Sequence, residues 1–171
     1  MKSLKDICAA VNAPKRVLAF SSWKPVNDTL RLTGSLEADG FIMSGVTFMA
    51  MCAPERPDER MALNLLAEIK LRPRCIARVD WRGLGHGNTL AGCGPHRFVD
   101  AGRTHFHDPE LHYLFGFDEL FDRGYDLPVA LPLDPIPDNL DDLLAQAGEL
   151  LHIQNLKDMP VPPWEPRTTL I

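Results

Sequence analysis

From Met61 to Trp81 the apolar side chains recur at every second residue, a period no helix can use. Met61, Leu63, Leu65, Ala67 and Ile69 alternate with their neighbours, and after Pro73 so do Cys75, Ala77, Val79 and Trp81. A helix repeats every 3.6 residues and a strand every two. Residues 61–70 are good helix formers, but their alternation and the strand-like runs on either side favour a strand. In the second run Ile76, Arg78, Asp80 and Arg82 take the face opposite Cys75, Ala77, Val79 and Trp81.

The flanking segments extend this meander. Residues 16–23 read as a strand, Leu30, Leu32 and Leu36 lie along another, and Phe41–Cys52 follows the turn Ala38-Asp39-Gly40 as the second arm of a hairpin. Arg103–Asp108 and Val129–Leu133 are further short strands, and Leu111–Tyr125 is a short helix or irregular. Two helices stand at the ends. Ser3 and Asp6 form a capping box ahead of Leu4, Ile7, Cys8 and Val11, and Pro14 stops the pattern. Asp138 or Asn139 caps the second, over residues 139–154, whose stripe is Leu140, Leu143, Leu144, Ala147, Leu150 and Leu151. The expected fold is α+β: one domain over 1–171, with an antiparallel sheet of about six strands. The C-terminal helix packs on one face, a short N-terminal helix is added, and the histidine-bearing face lies on the other side or at an edge. Trp164, in the Pro-rich tail, is expected to dock on the body.

No apolar run reaches the roughly 18 residues a membrane helix needs, and Met1–Asp6 lacks the apolar core of a signal peptide. A cytoplasmic protein without membrane contact is expected. The net charge of −5 is not that of a protein coating nucleic acid by bulk electrostatics. Six arginines nevertheless fall between Arg72 and Arg103, enough for a local basic groove or simply a solvated face. Cys8, Cys52, Cys75 and Cys93 form no C-x-x-C pair, so reduced thiols are expected. Cys93, in a loop with six glycines between Gly83 and Gly102, is the one expected to be exposed or a ligand.

That loop and the residues just beyond it carry the chemistry. Five of the six histidines fall between His86 and His112. Arg78 and Asp80 are two apart on one strand and His105 and His107 two apart on another, so each pair points one way. If the strands pair with those faces aligned, four polar groups converge, and an apolar core would not tolerate them unpaired. His86 and Asn88 sit on the intervening loop. Three readings remain open. In metal-independent RNA cleavage, His105 and His107 act as base and acid in unknown order. Arg78 clamps the phosphate, Asp80 orients a histidine, and His86 is the fifth catalytic candidate. Asn88, Arg82 and Thr104 bind substrate, and no cofactor is needed. Alternatively Asp80, His86, His105 and His107 hold a divalent metal in a hydrolase. In the third reading these groups are structural, as His112 and His152 are expected to be. The chain is then a protein-binding module with an acidic, nucleic-acid-like surface. RNA, a protein partner and, if Val17–Phe20 lies at a sheet edge, a second copy are the partners considered. The glycine loop lacks the G-x-x-x-x-G-K-[ST] and G-x-G-x-x-G patterns.

Arg78-x-Asp80, His86-x-Asn88 and Thr104-His105-x-His107 together resemble a signature of small prokaryotic and phage proteins, among them TumE-type toxin–antitoxin proteins. With Ile153-x-Asn155 and the Trp164 tail the likeness spans residues 75–164. It differs at Thr104-His105, where the TumE-like pattern carries a doubled histidine. The resemblance implies a mobile-element or defence-related protein, a toxin-like ribonuclease with an antitoxin partner; the alternative is a phage or mobile-element binding module that inhibits a host defence complex.

Overall fold

In the computed structural model, which describes residues 1, 3–121 and 127–163, the period-two segments form one antiparallel sheet. Its strands are β1 (Arg16–Phe20), β2 (Lys24–Val26), β3 (Thr29–Ala38), β4 (Phe41–Cys52), β5 (Met61–Ile69) and β6 (Arg72–Trp81). After a separate two-stranded ribbon, β7 (His86–Gly87) with β8 (Asp100–Gly102), come β9 (His105–His107) and β10 (Leu131–Pro132). The main sheet runs β1-β3-β4-β5-β6-β9-β10, with β2 also paired to β3, eight strands in all. The helices are α1 (Leu4–Asn12), α2 (Phe117–Phe121) and α3 (Leu140–Leu150). The fold is α+β, as the patterning implies. Trp164 and residues 122–125 of the expected irregular segment lie outside the described residues.

Local chemistry explains the elements. Ser3 Oγ accepts from the Asp6 N–H at 3.2 Å and the Asp6 carboxylate accepts from the Ser3 N–H at 3.1 Å, the reciprocal bonds that start α1. Asn139 caps α3 by accepting from the Asp142 N–H at 2.9 Å. Asp39 and Gly40, with φ of 52° and 79°, make the tight turn between β3 and β4. Lys70 and Leu71 do the same between β5 and β6, with φ of 52° and 63°. The turn therefore precedes Pro73, which lies inside β6 opposite Glu68 rather than between the strands.

β6 corrects the simple alternation at one point. Leu65 pairs with Ala77, but Leu66 pairs with Cys75, so Ile76 is an extra residue without a partner. This bulge flips everything before it. Cys75 thus leaves the core face and sits 3.8 Å from Asn64 on the opposite side. Ile76 and Ala77 are both fully buried.

The core joins the inward faces of β3–β6, represented by Leu32, Phe48, Leu63 and Val79, to Ile7 and Val11 of α1 and Leu143, Leu144 and Ala147 of α3. Each large side chain buried there contributes about 1.5–3 kcal/mol. Lys15 clasps the two helices. Its buried ammonium donates to Val11 O at 2.6 Å and to Leu151 O at 2.7 Å, so the negative ends of α1 and α3 share one cation. Cys93, expected to be exposed or a ligand, is buried in the core cluster. β1 is a terminal strand of the sheet.

Candidate functional site

The face of β6 opposite the core carries Arg78 and Asp80. β9 pairs beside it so that Arg78 faces His107 and Asp80 faces His105. Cross-strand partners on one face bring their side chains together, and four of the five expected catalytic residues meet for that reason. The fifth, His86, arrives on β7, which the β8 pairing of His86 with Gly102 holds against the end of β9. The three imidazole centroids lie 5.3 Å (His86–His105), 4.8 Å (His86–His107) and 4.9 Å (His105–His107) apart.

Hydrogen bonds assign one nitrogen of each ring. Carbonyl oxygens only accept, so the nitrogen facing one must carry a proton. His105 donates through Nδ1 to Gly102 O at 3.0 Å, His107 through Nδ1 to Leu127 O at 2.6 Å, and His86 through Nε2 to Pro128 O at 3.0 Å. In a neutral ring the other nitrogen keeps its lone pair; that of His107 meets Arg78, while Nε2 of His105 faces the Asp80 carboxylate at 3.2 Å and bonds it only when that nitrogen is protonated too. One ring nitrogen from each of the three residues lies within 4.8 Å of the others.

Asp80 and Arg78 complete the cluster. Asp80 Oδ2 accepts from Arg78 Nε at 2.6 Å and stands 3.2 Å from His105 Nε2 and 3.5 Å from His107 Nε2. The Arg78 Nη2 group donates to His107 Nε2 at 2.6 Å. Burial alone would raise the Asp80 carboxyl; its contacts with His105 and His107 and the charge of Arg78 outweigh that and hold it well below the usual carboxylate range. His107 is fully buried, and burial with the neighbouring Arg78 outweighs Asp80 and lowers it to about 4. It is therefore a neutral ring at ordinary pH. Its ring lies behind the part of the cluster that lines the cleft.

The cluster opens into a cleft of about 580 Å³ lined by Arg60, Asn64, Arg78, Asp80, Leu84, His86 and His105. Both His86 and His105 reach it; His107 lies behind.

The three expected substrate-binding residues do not line that cleft. Asn88 is fully buried and holds the segment after residue 126, donating to Ala130 O at 2.9 Å and accepting from the Ala130 N–H at 2.9 Å. Thr104 Oγ1 accepts from the Arg82 N–H at 3.0 Å. Arg82 stacks on Trp81 and donates to Asp58 O and Asp138 O, tying loops together. His112 is buried too, lowered to about 4 by burial, and bonded at both nitrogens to Asp108 O and the Val129 N–H. It is structural.

Sequence reading missed Asn64 and the backbone carbonyls. Asn64, opposite Arg78, sits in the outward phase of the alternation, on the face that carries Arg78 and Asp80. The carbonyls of Gly102, Leu127 and Pro128 carry no side-chain signal at all.

Compared with protein-family models, curated proteins and solved structures, the chain matches none.

Proposed function

We propose that the chain is a metal-dependent hydrolase whose divalent ion is held by His86, His105 and His107 beside Asp80. The observation that carries this reading is that each ring gives one proton to a backbone carbonyl while one ring nitrogen from each of the three residues lies within 4.8 Å of the others. Metal-binding histidines are oriented by such bonds, which fix the tautomer and raise ligand basicity. Imidazoles bound to one ion at about 2.1 Å have centroids roughly 5 Å apart, and the three observed separations run from 4.8 to 5.3 Å. Asp80 Oδ2 stands 3.2 and 3.5 Å from two of the nitrogens, close enough to accept from a water in the fourth position of an ion held by the three histidines. Three nitrogen donors with a carboxylate suit zinc or manganese better than calcium. An ion open to the cleft would acidify a bound water and supply the nucleophile.

A second reading is metal-free cleavage of RNA, with His86 and His105 exchanging protons and Arg78 meeting the phosphate. It is favoured by the Arg78 guanidinium, which already occupies the lone pair of His107 at 2.6 Å.

One assay separates the two. Chelator-stripped protein is offered mixed RNA and chromogenic phosphate and carboxylate esters, with and without Zn²⁺ or Mn²⁺, as wild type and His105→Ala. Turnover that needs the ion and disappears in the variant supports the hydrolase. RNA cleavage that survives the chelator and is lost in the variant belongs to the second reading. A wild type that neither binds the ion nor turns over any substrate removes both.

A further inference from the structure

We infer that the substrate group facing this centre is the phosphoryl group of a phosphate ester, and that Arg78 is the residue that binds it; the inference rests on the metal-centre reading above.

The argument starts from a conflict over one lone pair. An ion sits about 2.1 Å from a ligating imidazole nitrogen, while Arg78 Nη2 lies 2.6 Å from Nε2 of His107. Both cannot use the single lone pair, so an ion entering the centre displaces the guanidinium fork. Arg78 does not leave with it. Its Nε remains tethered to Asp80 Oδ2 at 2.6 Å, its side chain is 28 % exposed, and it lines the cleft. The released fork therefore stays at the wall of the cleft, beside the ion.

Charge then selects the ligand. A divalent ion, the Arg78 guanidinium and the Asp80 carboxylate leave about two net positive charges among neutral imidazoles. At the rim, Arg60 and Asp28 offset each other. A phosphoryl group answers this arrangement: one oxygen reaches the ion and two others match the parallel N–H bonds of a guanidinium. A carboxylate could satisfy the fork or the ion, but its two oxygens serve both less well. Hydrolysis there would form a bond from the water oxygen to phosphorus and break the ester P–O bond. The alcohol leaves with one proton of the water and the other stays with the phosphate.

The test uses the full chain loaded with Co²⁺, whose visible absorption reports its ligands, and inorganic phosphate as the probe. Wild type should bind Co²⁺ and change its spectrum on adding phosphate. Arg78→Met should bind Co²⁺ several-fold more tightly, because nothing competes for His107, and phosphate at least tenfold more weakly. Arg78→Lys, which keeps the charge and loses the fork, should fall between, and circular dichroism checks that each variant folds. The opposite signs of the two changes distinguish anion binding from a merely structural arginine. If Co²⁺ binds but phosphate leaves the wild-type spectrum unchanged, or binds Arg78→Met equally well, the inference is overturned and the metal centre stands. If wild type binds no Co²⁺, both fall.

Discussion

His107 gives its Nδ1 proton to the carbonyl of Leu127 across 2.6 Å, deep in the protein. The next carbonyl, of Pro128, takes the proton of His86, and the following residues bond His112 and Asn88. One short segment of main chain thus orients His86 and His107, while Gly102 O orients His105. Truncating His107 leaves Leu127 O without its donor and opens a void where no water reaches. His107→Ala should therefore cost about 2–4 kcal/mol of stability. His86→Ala, at a half-buried position on the cleft wall, should cost roughly 1 kcal/mol. Urea unfolding of both variants measures the contrast. Equal, small losses would mean that His107 is not held as described.

The proposed ion should stabilise the fold by mass action. A ligand that binds only the folded chain adds about 2.7 kcal/mol at a hundredfold excess over its Kd, which for a chain of this size raises Tm by roughly 5–10 °C. Thermal melts of stripped wild type with added Zn²⁺ should show that rise, and His105→Ala should show little of it. The same rise in a variant lacking both His86 and His105 would place the binding elsewhere.

Lys15 provides a pH signature well away from the cluster. Burial lowers its ammonium to about 8 from an ordinary 10.5. Between those values the unfolded chain holds more protons than the folded one, so stability rises with pH through this window. Below about 8 both states are protonated and the contribution is constant. Lys15→Met also leaves Val11 O and Leu151 O without their donor, which should cost about 1–3 kcal/mol at neutral pH. The stability gap between wild type and Lys15→Met should widen from pH 8 to pH 10 in urea titrations. A gap that stays flat would sink this account of Lys15.

Much of the fold was readable because it rests on short-range rules. The Ser3–Asp6 box, the Asp39-Gly40 turn, the Asn139 cap and the alternation of Met61–Ile69 each state their local geometry within a few residues. That Arg78 and Asp80 share a face, and His105 and His107 likewise, was readable for the same reason, since two residues two apart on a strand point one way; their register across the two strands was not, and β6 and β9 supply it. What escaped depends on the rest of the chain. Nothing local says that Asn88 turns inward to hold Ala130, that Arg82 is drawn to Asp138 O, or that Cys93 is covered. The roles of His86 and His107 depend on carbonyls 42 and 20 residues away, and every residue has a carbonyl.

The bulge at Ile76 is the sharpest departure from pattern, and the cysteines can report it. Regular alternation would put Cys75 in the core with Ala77, as shielded as Cys52. The extra residue instead places Cys75 on the far face, partly exposed, with Sγ 3.5 Å from Ala77 O. Cys52 is buried and its thiol is pushed up to about 12 by burial; Cys93 is buried as well. Only the thiolate is alkylated, so burial suppresses reaction twice, through access and through ionisation. Native protein treated with iodoacetamide at pH 8 should be modified at Cys8 and Cys75 well before Cys52 and Cys93, and denaturant should abolish the difference. Peptide mapping of the adducts reads the order directly. Protection of Cys75 equal to that of Cys52 would mean that β6 runs without its bulge, and Cys75 would then belong to the core face.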